Sequence, residues 1–194
     1  MKGTVFVLLA LVFTIGLSAQ VYTCKDIQYT TATNGNSNYV NQDIQVRGIV
    51  TAFKPGVGLY IGDPIPEGED GKWRGLYIHD AATSNAVQLG DMVRLSGRVL
   101  ELNSFTQLRS VTSFVIESGG NAVPMSIVTA ADIPFSNSTS EPWEGVHVRI
   151  NNAKINSAMN LFGQVKITDV GSSVEAMIDN ELYIAPSANF VVGD

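Results

Sequence analysis

From residue 20 onward, apolar and polar positions alternate with a period of two, and helical periodicity is nearly absent. Ile44-Gln45-Val46-Arg47-Gly48-Ile49-Val50 and Met92-Val93-Arg94-Leu95-Ser96-Gly97-Arg98-Val99 are the clearest runs. In an extended strand such a run sends its apolar side chains to one face and its polar ones to the other. The pattern predicts strands at 44–54, 57–62, 75–79, 91–101 and 106–116. Pro55-Gly56 makes a tight turn between the first two, and Asp63 to Gly71 reads as a long polar hairpin loop. Ala81 to Gly90 links the third strand to the fourth, with room for a short helix or loop.

Five short strands with a longer link between the third and fourth predict an all-β fold, a five-stranded Greek-key OB-type barrel. Gly48 and Gly97 fall inside the two longest strands, where glycine usually marks a bulge or a sharp bend. The second half echoes the first. Ile44-Gln45-Val46-Arg47 matches Val146-His147-Val148-Arg149 at an offset of 102, and Leu76-Tyr77-Ile78 matches Ala176-Met177-Ile178 at 100. Val87-Gln88-Leu89-Gly90-Asp91 matches Phe190-Val191-Val192-Gly193-Asp194 at 103. Spacing this long implies two copies of a domain rather than a solenoid, with chance likeness between alternating strands as the alternative. On this alignment Asp194 falls where the fourth strand of the second copy would open. The second β unit is therefore expected to be incomplete and the chain a piece of a longer protein. The expected organisation is a leader at 1–19, a lead-in segment at 20–38, the barrel at 39–118, a linker at 119–143 and the second unit at 144–194.

The leader reading rests on Lys2, the unbroken apolar run Val5 to Phe13, and the small-residue end Gly16-Leu17-Ser18-Ala19 before Gln20. That sequence of features describes a secretory signal peptide, and the run is well short of the ~20 apolar residues that span a bilayer. The product is expected to be secreted or held at the cell surface. Cys24 lies near the mature terminus but lacks the small residues of a lipoprotein anchor site, so it reads as a spare thiol. One cysteine also rules out an internal disulfide. The 194 residues carry a formal charge of −6, which argues against a strongly basic, non-specific nucleic-acid binder.

Several ordered fragments resemble a known family. Asp26-Ile27-Gln28, Ser37-Asn38-Tyr39-Val40-Asn41-Gln42 and Val46-Arg47-Gly48-Ile49-Val50-Thr51-Ala52 open the pattern. Gly58-Leu59-Tyr60-Ile61-Gly62-Asp63, Gly75-Leu76-Tyr77-Ile78, Gly90-Asp91-Met92-Val93-Arg94-Leu95-Ser96-Gly97-Arg98-Val99 and Thr106-Gln107-Leu108 continue it. The series resembles the nuclease-associated OB-fold domains of secreted bacterial endonuclease/exonuclease/phosphatase-type proteins, well over 26–118 and loosely over 142–194. The resemblance implies an accessory barrel that stands beside a catalytic domain of the same parent chain. The barrel is not itself the nuclease in that family, so no catalytic residue carries over.

Catalytic constellations are scarce in the residues themselves. The only histidines, His79 and His147, occupy unrelated positions of the repeat. His79-Asp80 reads as a surface pair at a strand end rather than an oriented base. No nucleophile elbow or phosphate-gripping loop is present. No cofactor is expected, except that Asp63, Glu67, Glu69 and Asp70 place four carboxylates within eight positions. Flexible oxygen-rich loops of this sort hold Ca2+, although the spacing is not that of an EF-hand and a solvated acidic hairpin is the alternative. Ligand binding is the stronger expectation. OB barrels take single-stranded nucleic acid or oligosaccharide across strands two and three, on aromatic platforms with basic neighbours. Here that face would draw on Tyr60, Trp73 and Tyr77 with Lys54, Lys72, Arg74 and Arg94. Tyr60 and Tyr77 alternate against Leu59/Ile61 and Leu76/Ile78, so both would point the same way, outward as platforms or inward as core. The expected role is a non-catalytic module that binds or positions nucleic acid, with a glycan- or protein-binding adhesion module, or a structural spacer, as rivals.

Overall fold

The computed structural model describes residues 20–135, 138–182 and 190–193; the leader expected at 1–19 and Asp194 lie outside the described residues. The first unit runs β1 (Val21–Tyr22), α1 (Cys24–Gln28), β2 (Asp43–Lys54), β3 (Gly58–Gly62), β4 (Gly75–Ile78), α2 (Ala81–Ser84), β5 (Met92–Glu101) and β6 (Thr106–Ser118). β2 pairs antiparallel with β3, β3 with β4, and β6 with β5; β4 pairs parallel with β6, and β5 returns to β2. The ring is closed. This is the five-stranded OB-type barrel that the alternation predicts, with α2 in the link between the third and fourth barrel strands.

The inward phase of each run fills the barrel: Val46, Val50, Leu59, Ile61, Leu76, Ile78, Val93 and Leu95 are fully buried. Gly97 is the bend expected of it. The β5–β6 register jumps between Ser96 and Arg98. Gly48 is not. It pairs regularly with Val93, and the β2 irregularity falls between Val50 and Ala52. What Gly48 provides is clearance, since a Cβ there would stand 3.1 Å from the Ile61 side chain.

The lead-in segment closes one end of the barrel. Thr23 and Asp26 form a capping box at the start of α1, and Cys24 and Ile27 point into the core, both fully buried. Cys24 is therefore a packed core residue rather than a loose terminal thiol. The Asp63 carboxylate, at the end of β3, accepts the backbone N–H groups of Cys24 and Lys25, each at 2.8 Å. It latches the lid to the barrel.

The second unit repeats the lead-in and the first strands of this plan, as a two-stranded and a three-stranded sheet. Its strands are β7 (Ser126–Val128), β8 (Val148–Ile150), β9 (Ala153–Ile155), β10 (Val165–Asp169) and β11 (Glu175–Ile178), with a 3-10 helix at Ser138–Trp143. The stretch 119–143 thus carries β7 and the 3-10 helix. β7 runs parallel to β8 as β1 does to β2. Thr129 and Asp132 repeat the Thr23–Asp26 contact, and Asp169 accepts the Ala130 N–H at 2.7 Å as Asp63 accepts that of Cys24. The β10–β11 pairs Lys166↔Met177 and Ile167↔Ala176 reproduce Tyr60↔Tyr77 and Ile61↔Leu76, which places the β4 offset at 100. The β2 offset shifts. Val128 faces Ile150 as Tyr22 faces Val46, an offset of 104 where the sequence match suggests 102. A slip of two keeps every side chain on its own face, so the hydrophobic pattern cannot detect it.

The latch gives a direct test. Asp63→Ala strands one buried and one half-buried N–H group and is expected to lower unfolding stability by about 3 kcal/mol, and Asp169→Ala, which strands one, by about half as much. Urea denaturation of both variants measures this; a wild-type midpoint for Asp63→Ala would mean that the lid is held by packing alone.

Candidate functional site

On β3 and β4 every residue is buried except Tyr60 and Tyr77. The two face each other across the strand pair, both on the outward phase of the alternation, and neither belongs to the core. Their ring centroids lie 4.8 Å apart. Phe105, from the turn between β5 and β6, stacks on Tyr77 at 5.5 Å and 26°. Beyond it, the Tyr77 hydroxyl lies 3.2 Å from His79 Nδ1. Asp80 does not pair with His79 here; it caps α2 by accepting the Thr83 N–H and hydroxyl at 2.8 and 2.6 Å. Gly58 lies under the shelf, where a Cβ would come within 2.6 Å of both the Tyr77 hydroxyl and the Ile78 carbonyl. Burial, with Tyr77, Glu181 and Glu144 nearby, pushes the Tyr60 phenol up to about 12. It remains a hydrogen-bond donor at any physiological pH.

Two cations flank these rings. Lys54, at the end of β2, borders the hollow beside Tyr60 and Tyr77. Arg109 follows Gln107, the β6 partner of Tyr77, by two positions and so shares its face. Its charge opposes the rise in the Tyr77 pKa that burial causes. The other barrel cations are committed. Arg47 and Arg94 share Glu117, Arg98 holds Asp43, Lys72 holds Asp70, and Arg74 holds Glu69. Among the described residues, Lys54 and Arg109 alone of the barrel's lysines and arginines have no ion-pair partner. The hollow holds about 220 Å³ and is bordered on its far side by Glu181 and Leu182. A second hollow of about 290 Å³ shares Tyr60, Phe105 and Leu182 with it and runs toward His147.

The structure therefore gathers Lys54, Tyr60 and Tyr77 from the expected set and adds Phe105, His79 and Arg109. Arg94 stands on the β2–β5–β6 side of the ring with Arg47 and Glu117. Arg74 is tied into the Asp63–Glu69 network. Lys72 and Trp73 lie at a different groove, beside the 3-10 helix. The four loop carboxylates do not converge. Asp63 is the lid latch, Glu69 is held by Arg74 and Lys25, Asp70 by Lys72, and Glu67 is exposed. Among the described residues no three His, Cys, Asp or Glu side chains are placed to hold a metal ion. In the second unit, Lys166 and Met177 stand where Tyr60 and Tyr77 stand in the first, so the aromatic pair belongs to the barrel.

No family model and no curated protein matches the chain. Among solved structures, the hypothetical protein YgiW from E. coli is similar over 40% of this chain and 76% of its own, at 12% identity and a TM-score of 0.29.

Next to Phe105, the Thr106 N–H donates to Glu144 Oε1 at 2.8 Å. Burial pushes the Glu144 carboxyl up to about 7, with Glu141 and Glu101 adding to the rise and the Thr106 N–H opposing it. The folded state therefore binds a proton that the unfolded chain releases above its usual glutamate pKa of 4.5. Stability is expected to fall as pH rises between 4.5 and 7 and to level off above that range. Glu144→Gln keeps an acceptor for Thr106 without the charge. It should flatten this slope and raise Tm by a few degrees at alkaline pH while matching wild type in acid; parallel Tm–pH curves for the two proteins would refute the assignment.

Proposed function

We propose that the chain is an exported, non-catalytic OB-type accessory module that holds single-stranded nucleic acid across the Tyr60–Tyr77–Phe105 shelf, for a catalytic domain of the same parent protein. The observation that carries this reading is the placement of charge. The barrel's two cations without an ion-pair partner among the described residues both flank its outward aromatic rings. Rings stack bases of any sequence, and nearby cations attract the phosphates between them. The shelf occupies the strands that OB barrels commonly use for such ligands. The histidines fit a supporting role, His79 bonded to Tyr77 and His147 to the Pro124 carbonyl at 3.1 Å.

Fluorescence anisotropy with a labelled single-stranded oligonucleotide tests the proposal. Affinity is expected to drop steeply with salt, and Lys54→Ala and Arg109→Ala should each reduce that salt slope by about one. Tyr77→Ala should cost about 1–3 kcal/mol, as the loss of one stacked base does. Arg94→Ala should stay near wild type, because that guanidinium is held by Glu117 on another side of the barrel. Salt-insensitive binding, or full affinity in Tyr77→Ala, would remove the basis of the proposal.

A further inference from the structure

A second concave surface is built from different chemistry. The loop after α1, the turn carrying Trp73, and the 3-10 helix enclose an open groove of about 840 Å³, within the size range of small-molecule sites. Both tryptophans of the chain line it, Trp73 half-buried and so the available indole face, Trp143 buried beneath. Trp73 is held at φ 66°, in the left-handed region that a bulky side chain rarely adopts. Its N–H donates to the Pro142 carbonyl at 2.6 Å, and its indole meets Tyr29 edge-on at 5.8 Å. The turn sets the direction in which the Trp73 side chain leaves the backbone, and Tyr29 bounds the ring on one side. The lining also includes short polar side chains, among them Thr31, Thr33 and Asn34.

Charge decides what such a surface can take. The ionisable groups lining the groove are Glu141 and Glu144. Lys72, the nearby cation, is committed: its ammonium lies 2.7 Å from Asp70 and 5.5 Å above the Trp143 ring. A polyanion would meet carboxylates with no free cation to offset them. A neutral polyhydroxylated chain would not. Its ring faces pack on indole, and its hydroxyls pair with threonine, asparagine and carboxylate oxygens. We infer that the Trp73–Trp143 groove is a binding site for a neutral oligosaccharide, separate from the aromatic shelf.

The placement of the tryptophans provides the probe. Selectively excited tryptophan emission reports this groove and not the shelf, which contains tyrosine and phenylalanine only. Titration with cellohexaose, maltohexaose, laminarihexaose and chitohexaose is expected to give a saturable emission change with at least one of them, unaltered by added salt. In calorimetry, Trp73→Ala should weaken that sugar by about tenfold or more, while Trp73→Phe, which keeps an aromatic face, should retain most of the affinity. If none of the four sugars produces a saturable change, the site assignment fails. It fails equally if Trp73→Ala binds as wild type does. A response to an oligonucleotide or to a quaternary ammonium ion in place of the sugars would overturn the ligand class.

Discussion

The parallel seam between β4 and β6 is the joint on which the rest of the molecule depends. Every other strand contact in the ring is antiparallel and longer, whereas this one rests on two residue pairs, Tyr77↔Gln107 and Ile78↔Leu108. The chain from the second unit completes it. Glu144 accepts the Thr106 N–H that β4 does not reach, Pro142 accepts the N–H of Trp73, and Gly145 packs directly on Gly75. Gly75 and Gly145 are backbone against backbone: Gly75 has no room for a side chain, and Gly145, at φ 67°, sits tightly against the Gly75 backbone. The cost of the arrangement is a half-buried carboxyl group at Glu144, whose partial desolvation is the main cause of its raised pKa. Both candidate sites stand beside this seam, the shelf at Tyr77 and Phe105 and the groove at Trp73 and Glu144.

Comparison of the two units separates what the fold requires from what function can change. The inward positions keep their character, with Ile61 answered by Ile167 and Leu76 by Ala176, all buried. The latch is kept as well, Asp63 answered by Asp169. The outward positions lie outside the core and pack only on neighbouring surface side chains, so the residues are free to differ. There Tyr60 and Tyr77 give way to Lys166, which lies 5.2 Å above Phe135, and to Met177. The same backbone geometry thus carries a stacking surface in one unit and none in the other.

How much of this is legible in the sequence follows from the range of each interaction. The strands are readable because a period of two is a local property, and all five predicted barrel strands stand within about two residues of their predicted bounds. The direction of Tyr60 and Tyr77 is readable for the same reason, although alternation alone leaves inward and outward open. Ring closure settles that by burying Leu59, Ile61, Leu76 and Ile78 instead. Phe105 and Arg109 are not readable, because they reach the shelf only through the β4–β6 pairing, some thirty residues along the chain. The same holds for Arg94 and Arg74. Their charge is visible in the sequence, but not the glutamates that occupy them: Glu117 reaches Arg94 across the sheet, and Glu69 reaches Arg74 through the folding of their shared loop. Asp63 is the sharpest case. Four clustered carboxylates suggest a cation loop, yet one of them is directed inward to two backbone N–H groups nearly forty residues away.

The acidic character of the whole chain is a poor guide to its surfaces. Free charges on a protein act over roughly 8 Å at physiological ionic strength, so a ligand senses the groups beside it rather than the sum of −6. Ion pairing sharpens the contrast, because a carboxylate that holds an arginine presents little field of its own. Once the paired groups are set aside, the shelf retains Lys54 and Arg109 with the carboxyl groups of Glu181 and Glu144 nearby, while the ionisable lining of the groove is Glu141 and Glu144 alone. One short seam therefore separates an aromatic surface that carries cations from one whose ionisable lining is carboxyl groups alone. On the proposed reading a phosphate chain suits the first surface, and on the further inference a neutral ring-bearing chain suits the second, whose lining carries no cation.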